Sequence, residues 1–219
     1  MAQVKSVIHK ALEKFDAKKG ITRTALDLAR RRNLVVDSFS PAGRTLPIYH
    51  GLVEQIVKKV GKPKGKSFLD IAGASGILSR FLQERGARAV NFEFDRNLCD
   101  VSRAMGVKEV VEGDAMKKLP FSGAEFDCVT TSRFVLGGYR GLDLFHSSGK
   151  YEGSEHVLKE VARILKPNGV FIVNQIDARI PIPTLIEFCS KYFGKVEPYA
   201  YAHEKTLIPG LVLSQPKKS

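Results

Sequence analysis

The 219 residues, 43% hydrophobic and 26% charged, have the composition of an ordinary folded domain and are too few for two full-sized ones. No apolar run approaches the roughly 18 residues of a membrane helix, and the first ten residues lack a continuous apolar signal segment. Cys99, Cys128 and Cys189 match neither a disulfide framework nor a zinc-ligand spacing, so the sequence predicts a reduced, cytoplasmic protein without a metal centre.

Residues 1–36 read as an amphipathic helical arm. Val4, Ile8, Leu12 and Phe15 recur at helical spacing, and a second short helix carrying Leu26 and Leu28 follows Gly20 and the capping Thr22. The whole chain holds 35 Lys and Arg against 23 Asp and Glu, a net charge of +12, and half of that excess lies in this arm. Such a surface raises the local concentration of any polyanion, RNA included. After the break at Pro41 and Gly43 a further helix is expected from Pro47 to Val60, which completes an N-terminal helical cap over residues 1–60.

Residues 61–219 form the second unit. From Ser67 onward short apolar runs alternate with helical patterns: a strand at Phe68–Ile71, a helix at Ile77–Arg85, a strand at Ala89–Phe94 and a helix at Leu98–Met105. Strands at Glu109–Glu112 and Asp127–Thr131, a helix at Glu155–Leu165 and a strand at Val170–Asn174 continue the rhythm. Lys166, Pro167, Asn168 and Gly169 act as the helix stop, and a closing hairpin turning at Pro209 and Gly210 ends the chain. The alternation predicts an α/β fold, a doubly wound and mostly parallel sheet with helices on both faces.

The stretch Ser67 to Gly76 runs a buried strand into small residues and then a helix, an arrangement that lets backbone approach a ligand at the sheet's carboxyl edge. A dinucleotide fingerprint fails there, because Ser75 replaces its second glycine and Asp70 would stand near a pyrophosphate; Asp70 suits a cation better. Glu93, closing the next strand, can accept from both hydroxyls of a ribose. Asp114, closing the third, can accept from an adenine amino group while Ala115 offers its backbone N–H. A cationic amine, a ribose and an adenine together describe S-adenosylmethionine.

The motifs LDIAGASG, FEFD, GDAMKKLPFSGAEFDCVTTSRFVL and LKEVARILKPNGVFIV follow one another between Ser67 and Asp177. In this order they resemble the class I S-adenosylmethionine-dependent methyltransferases, in the small-molecule branch of the ubiquinone and menaquinone C-methyltransferases. The resemblance implies a Rossmann-like seven-stranded sheet, S-adenosyl-L-methionine as cofactor and residues 61–219 as the domain that binds it. It places Asp70, Ala72, Gly73, Ala74 and Gly76 at the cofactor's amino-acid end and Glu93 at its ribose, with Phe94 among the cofactor-binding residues. Asp114 and Ala115 fall at the adenine, and the backbone of Thr131 and Ser132 at the methionyl part. Two departures stand out. The usual alternate glycines are here Ala72, Ala74 and Gly76, a change expected to reduce clearance for the ligand, and Gly137 and Gly138 replace paired histidines. A longer segment, Tyr139 to Tyr151, is expected to form a lid.

Catalytic candidates are sparse. Arg133 follows the fourth strand and could hold a substrate carboxylate or phosphate, or pair with Asp143. His146 has the acidity range of a general base, and Tyr139 lies in the lid. Cys128 lacks the Pro-Cys context of a methylating nucleophile and reads as core. Because a sulfonium already activates its methyl group, alignment of the acceptor can supply most of the catalysis. The leading expectation is methyl transfer to a small molecule. The alternatives are an RNA methyltransferase using the basic arm and a non-catalytic cofactor-binding module.

Overall fold

The computed structural model describes residues 46–136, 152–176, 180–203 and 206–217. In chain order the elements are α1 (Leu46–Lys59), β1 (Ser67–Ile71), α2 (Ile77–Gln83), β2 (Arg88–Glu93), α3 (Arg96–Ala104), β3 (Glu109–Glu112), β4 (Phe126–Ser132), α4 (Glu152–Ile164), β5 (Leu165–Asn174), α5 (Ile182–Cys189), β6 (Phe193–His203) and β7 (Thr206–Pro216). The strands form one seven-stranded sheet in the order β3-β2-β1-β4-β5-β7-β6. β1 to β5 run parallel and β7 is antiparallel to both neighbours, which is the mostly parallel, doubly wound sheet expected from the alternation.

Alternate residues along the central strands enter two different cores. Leu69, Val90, Phe92, Val129, Phe171 and Leu213 pack on one face with Val157, Leu158 and Val161 of α4 and Leu185 and Phe188 of α5. Phe68, Ala89, Cys128, Ile172 and Val212 pack on the other face with Leu52, Val53 and Ile56 of α1 and Leu78, Phe81 and Leu82 of α2. Each fully buried side chain of this size contributes roughly 1.5–3 kcal/mol, so α1 is fixed to the sheet by its own apolar stripe. The last quarter of the expected 1–60 cap, from Leu46 onward, therefore packs in the helical layer. The arm before it lies outside the described residues, as does the lid segment with Tyr139 and His146.

Three local features differ from the pattern reading. Lys166 to Gly169 are drawn into β5 as an irregularity, with Phe126 paired to Leu165 but Cys128 to Val170. The terminal hairpin does not turn at Pro209: that residue pairs with Ala200 inside β7, and the reversal comes between His203 and Thr206. Proline is tolerated there because the β5 pairing has ended at Asn174 opposite Gly210, and the Pro209 carbonyl still accepts from Ile176 N–H at 3.2 Å. The third is α5, which has no counterpart in the sequence reading. It begins behind Pro181 with a second proline in its first turn, where the missing N–H removes no helical bond.

Candidate active site

On the α1/α2 face the sheet carries an apolar row, Ala89, Phe68 and Cys128, and one pleat later a polar row, Asn91, Asp70 and Thr130, all in register. Three polar side chains are thus buried side by side at the carboxyl ends of β2, β1 and β4, where such sheets take their ligands. The Thr130 hydroxyl donates to Asp70 Oδ1 at 2.8 Å. Burial pushes the Asp70 carboxyl up to about 7; the Thr130 hydrogen bond opposes the rise and the nearby Glu93 charge adds to it. Asn91 donates from Nδ2 to Ser102 Oγ at 2.9 Å and to the Ala74 carbonyl at 3.1 Å, while its buried Oδ1 has no donor among the described residues.

The turn from β1 into α2 alternates left-handed residues: Ala72 at φ 56°, Ala74 at φ 50° and Gly76 at φ 71°. The expected penalty of the two alanines, lost clearance for the ligand, is accompanied by a backbone cost of about 1–2 kcal/mol for each. Hydrogen bonds impose the conformation. Ala72 N–H donates to the Phe92 carbonyl at 2.8 Å, Ala74 N–H to Glu93 Oε2 at 2.9 Å and Gly76 N–H to the Gly73 carbonyl at 2.9 Å. Gly73, which the alternation skips, is the residue pressed hardest on the polar row. A Cβ there would lie 2.1 Å from Asn91 Oδ1 and 2.6 Å from Asp70 Oδ2.

Glu93 is 7% exposed and already engaged. Its Oε1 accepts from the N–H groups of Phe94 at 2.8 Å and Asp95 at 3.0 Å, and its Oε2 from Ala74 N–H. An ionised carboxylate has about four acceptor positions, so one remains on Oε2 for a ligand. Glu93 therefore clasps the β1 loop to the end of β2 and is not open to accept from two hydroxyls without rearrangement. Phe94 next to it is 72% exposed. At the end of β3, Asp114 Oδ1 accepts from Met116 N–H at 2.9 Å in a tight turn, with Ala115 buried. Thr131 is buried and donates its hydroxyl to the Ile71 carbonyl at 2.9 Å, whereas Ser132 is half-buried at the strand's end.

Asp70, Ala72, Gly73, Ala74, Gly76, Glu93, Phe94, Asp114, Ala115, Thr131, Ser132 and Arg133 accordingly lie in or just after the carboxyl ends of β1 to β4. Arg133 pairs through Nε with Gln175, and Asp143, its other expected partner, lies outside the described residues. Cys128 is fully buried, and burial pushes its thiol well above the usual range, as a core residue requires. Asn91, Tyr49, Gln175, Tyr199 and Tyr201 surround the same edge and were not singled out by the motifs. A cavity of about 500 Å³ lined by Gly123, Ala124, Arg163, Pro167, Gln215 and Lys217 lies at the opposite, amino end of the sheet. Its guanidinium is engaged by Glu160 and by the carbonyls of Leu119 and Phe121, so that cavity holds none of this chemistry.

Residues 69–173 match a family described as a methyltransferase domain. The chain is 28% identical over 156 residues to a ubiquinone/menaquinone biosynthesis C-methyltransferase, UbiE, of Francisella tularensis subsp. novicida, covering 67% of this chain and 56% of that protein. It thus spans little more than half the length of the curated relative. Among solved structures it is similar to a TehB-like SAM-dependent methyltransferase of Corynebacterium glutamicum (TM-score 0.58, 17% identity, 88% of this chain and 98% of that one). It is also similar to a 16S rRNA methyltransferase of T. thermophilus in complex with AdoMet and guanosine (TM-score 0.58, 20% identity, 80% of this chain and 44% of that one). The sheet order and helical layers are Rossmann-like. Residues 69–173 match the methyltransferase-domain family, and the chain is similar to the UbiE-type C-methyltransferases.

Proposed function

We propose that this chain transfers a methyl group from S-adenosylmethionine to a small-molecule acceptor. The observation that carries the reading is the loop pressed onto Asp70: Gly73 leaves no room for a Cβ, and the carboxyl beneath it is buried and forms no ion pair among the described residues. A buried carboxyl whose ionisation is suppressed by desolvation gains most from a positively charged amine placed beside it. The orphaned Asn91 Oδ1 provides an acceptor for the same group. The sulfonium of the bound cofactor supplies the activated methyl. The chain's residues bind and orient: Asp70 and the Ala72–Gly76 backbone at the amino-acid end, Glu93 at the ribose, Phe94, Asp114 and Ala115 at the adenine, and Thr131 and Ser132 beside the methionyl part. The acceptor class rests on the likeness to UbiE and on the four motifs.

Phe94 gives the cleanest test. Its ring is 72% exposed, so Phe94→Ala should leave the unfolding free energy within about 0.5 kcal/mol. Stacking on a base is worth roughly 1–3 kcal/mol, and the variant should lose S-adenosylmethionine affinity by about five- to a hundredfold in a calorimetric titration. Glu93→Ala should lose affinity by roughly ten- to a hundredfold. It should also destabilise the empty protein, because three backbone N–H groups lose their acceptor. Unchanged affinity in both variants would place the nucleoside elsewhere.

The net charge of +12 favours one competing reading, RNA as the acceptor. Replacing Arg30, Arg31 and Arg32 by glutamine then weakens RNA binding and flattens the dependence of log affinity on log salt by about 0.9 per lost phosphate contact on a duplex. A small-molecule enzyme keeps its turnover in the same variant. Submicromolar binding of structured RNA at physiological salt, with a slope that collapses in the triple variant, would move the assignment to RNA.

A further inference from the structure

Beyond the proposed cofactor contacts, a second polar cluster sits at the carboxyl ends of β4 and β5. Arg133 at φ 64° and Gln175 at φ 57° are both non-glycine residues in the left-handed region, and they lie side by side just past the last β4/β5 pair, Ser132 with Asn174. Backbone strain of this kind persists only where surrounding contacts over-determine it, and it gathers at ligand clamps. The contacts are present. Arg133 N–H donates to the Asn174 carbonyl at 3.1 Å, and Arg133 Nε donates to Gln175 Oε1, which also accepts from Ser132 Oγ at 3.5 Å. Gln175 Nε2 donates to the Tyr201 hydroxyl at 3.4 Å.

Tyr201 is anchored in turn. It is 8% exposed, and its ring lies flush on α1, where a Cβ on Gly51 would stand 2.2 Å away. A chain of contacts therefore runs from α1 through Tyr201 and Gln175 to the guanidinium and fixes it through Nε, while no described acceptor takes Nη1 or Nη2. These two groups are the donors with which an arginine grips a carboxylate or phosphate. Arg133 also acts on both neighbouring phenols. Burial raises Tyr49 and Tyr201, and the Arg133 charge opposes the rise in each, while Asp70 adds to it at Tyr49. Tyr49 and Tyr201 thus both lie within electrostatic reach of Arg133, and Tyr49 also within reach of the buried Asp70.

We propose that Arg133, aimed by Gln175 and Tyr201, receives an anionic oxygen of the methyl acceptor, a carboxylate or a phosphate. This inference rests on the methyltransferase reading. Gln175 and Tyr201 are positioning residues, and Arg133 is the group that touches the acceptor.

The test uses the full chain, with and without saturating S-adenosylhomocysteine, titrated with benzoate, phenyl phosphate and neutral benzamide. The wild type should bind at least one of the two anions tenfold or more tightly than benzamide, and the better of the two identifies the acid group. Arg133→Gln should remove that preference. Gln175→Glu keeps an acceptor for Nε but adds a negative charge beside the fork, so it should also abolish the preference. Both variants should hold S-adenosylhomocysteine within twofold of wild type and keep the wild-type unfolding midpoint. Equal binding of the three probes, or a preference that survives Arg133→Gln, overturns the assignment. Failure of the wild type to bind S-adenosylhomocysteine counts against the methyltransferase reading, and the anion preference is read separately in its absence.

Discussion

Gly76→Ala should destabilise the protein by about 2–5 kcal/mol, whereas Gly61→Ala should cost only about 1 kcal/mol. Both glycines are left-handed, at φ 71° and φ 84°. The difference is their surroundings. A Cβ on Gly76 would meet Ser102 Oγ at 2.3 Å and Val107 Cγ2 at 2.8 Å, while nothing lies within 4 Å of one on Gly61. Ser102 cannot retreat freely because it accepts from the buried Asn91 amide, which also holds the Ala74 carbonyl. Backbone strain and overpacking therefore add in one variant, and strain acts alone in the other. Urea unfolding of the two variants separates the two effects, and equal losses would show that the β1 loop is less tightly packed than described.

Asp70→Asn should make the empty protein more stable than wild type above neutral pH and weaker in cofactor binding there. The native carboxyl titrates at about 7, pushed up chiefly by burial, against an ordinary value of 3.8. Between those limits the native state holds a proton that the unfolded chain has released, so stability falls as pH rises. The contribution is fully present below about pH 4 and lost above about pH 7. Each pH unit between the two titration points is worth about 1.4 kcal/mol, so the asparagine variant avoids a penalty of several kcal/mol at pH 8 while keeping an acceptor for Thr130. Binding has the opposite sign, since a cationic amine favours the ionised carboxyl. Wild-type affinity should rise up to tenfold per pH unit approaching pH 7, and the variant should show a flat profile. A parallel pH dependence of stability in both proteins would mean that another group titrates.

The parallel half of the sheet was legible because its strands are buried on both faces and appear as short apolar runs broken by turn residues. Asp70, Glu93 and Asp114 were legible for a related reason: an acid ending such a run lies at the carboxyl edge. Long-range pairing hid the rest. Glu93 looks the same in sequence whether it faces a ligand or clasps three backbone N–H groups. The left-handed turns at Ala72 and Ala74 are invisible because alanine carries no signal for them. α5 was hidden by Pro181 and Pro183, which break a periodicity only eight residues long. Tyr199 and Tyr201, two apart on one face of β6, did leave a trace. Tyr199 lies over Gly210, and a glycine inside a strand often marks the close approach of a neighbouring group.

Binding of the nucleoside cofactor at the carboxyl edge of β1 to β3 is tested most directly by following backbone amide resonances during a titration with S-adenosylmethionine. Saturable shifts should be largest at Ala72 to Gly76, at Phe94 and Asp95 and at Ala115, and should be small at Gly123, Ala124 and Lys217 at the other end of the sheet. Saturation without shifts in the β1 loop, or shifts concentrated around Arg163 and Lys217, would contradict that placement.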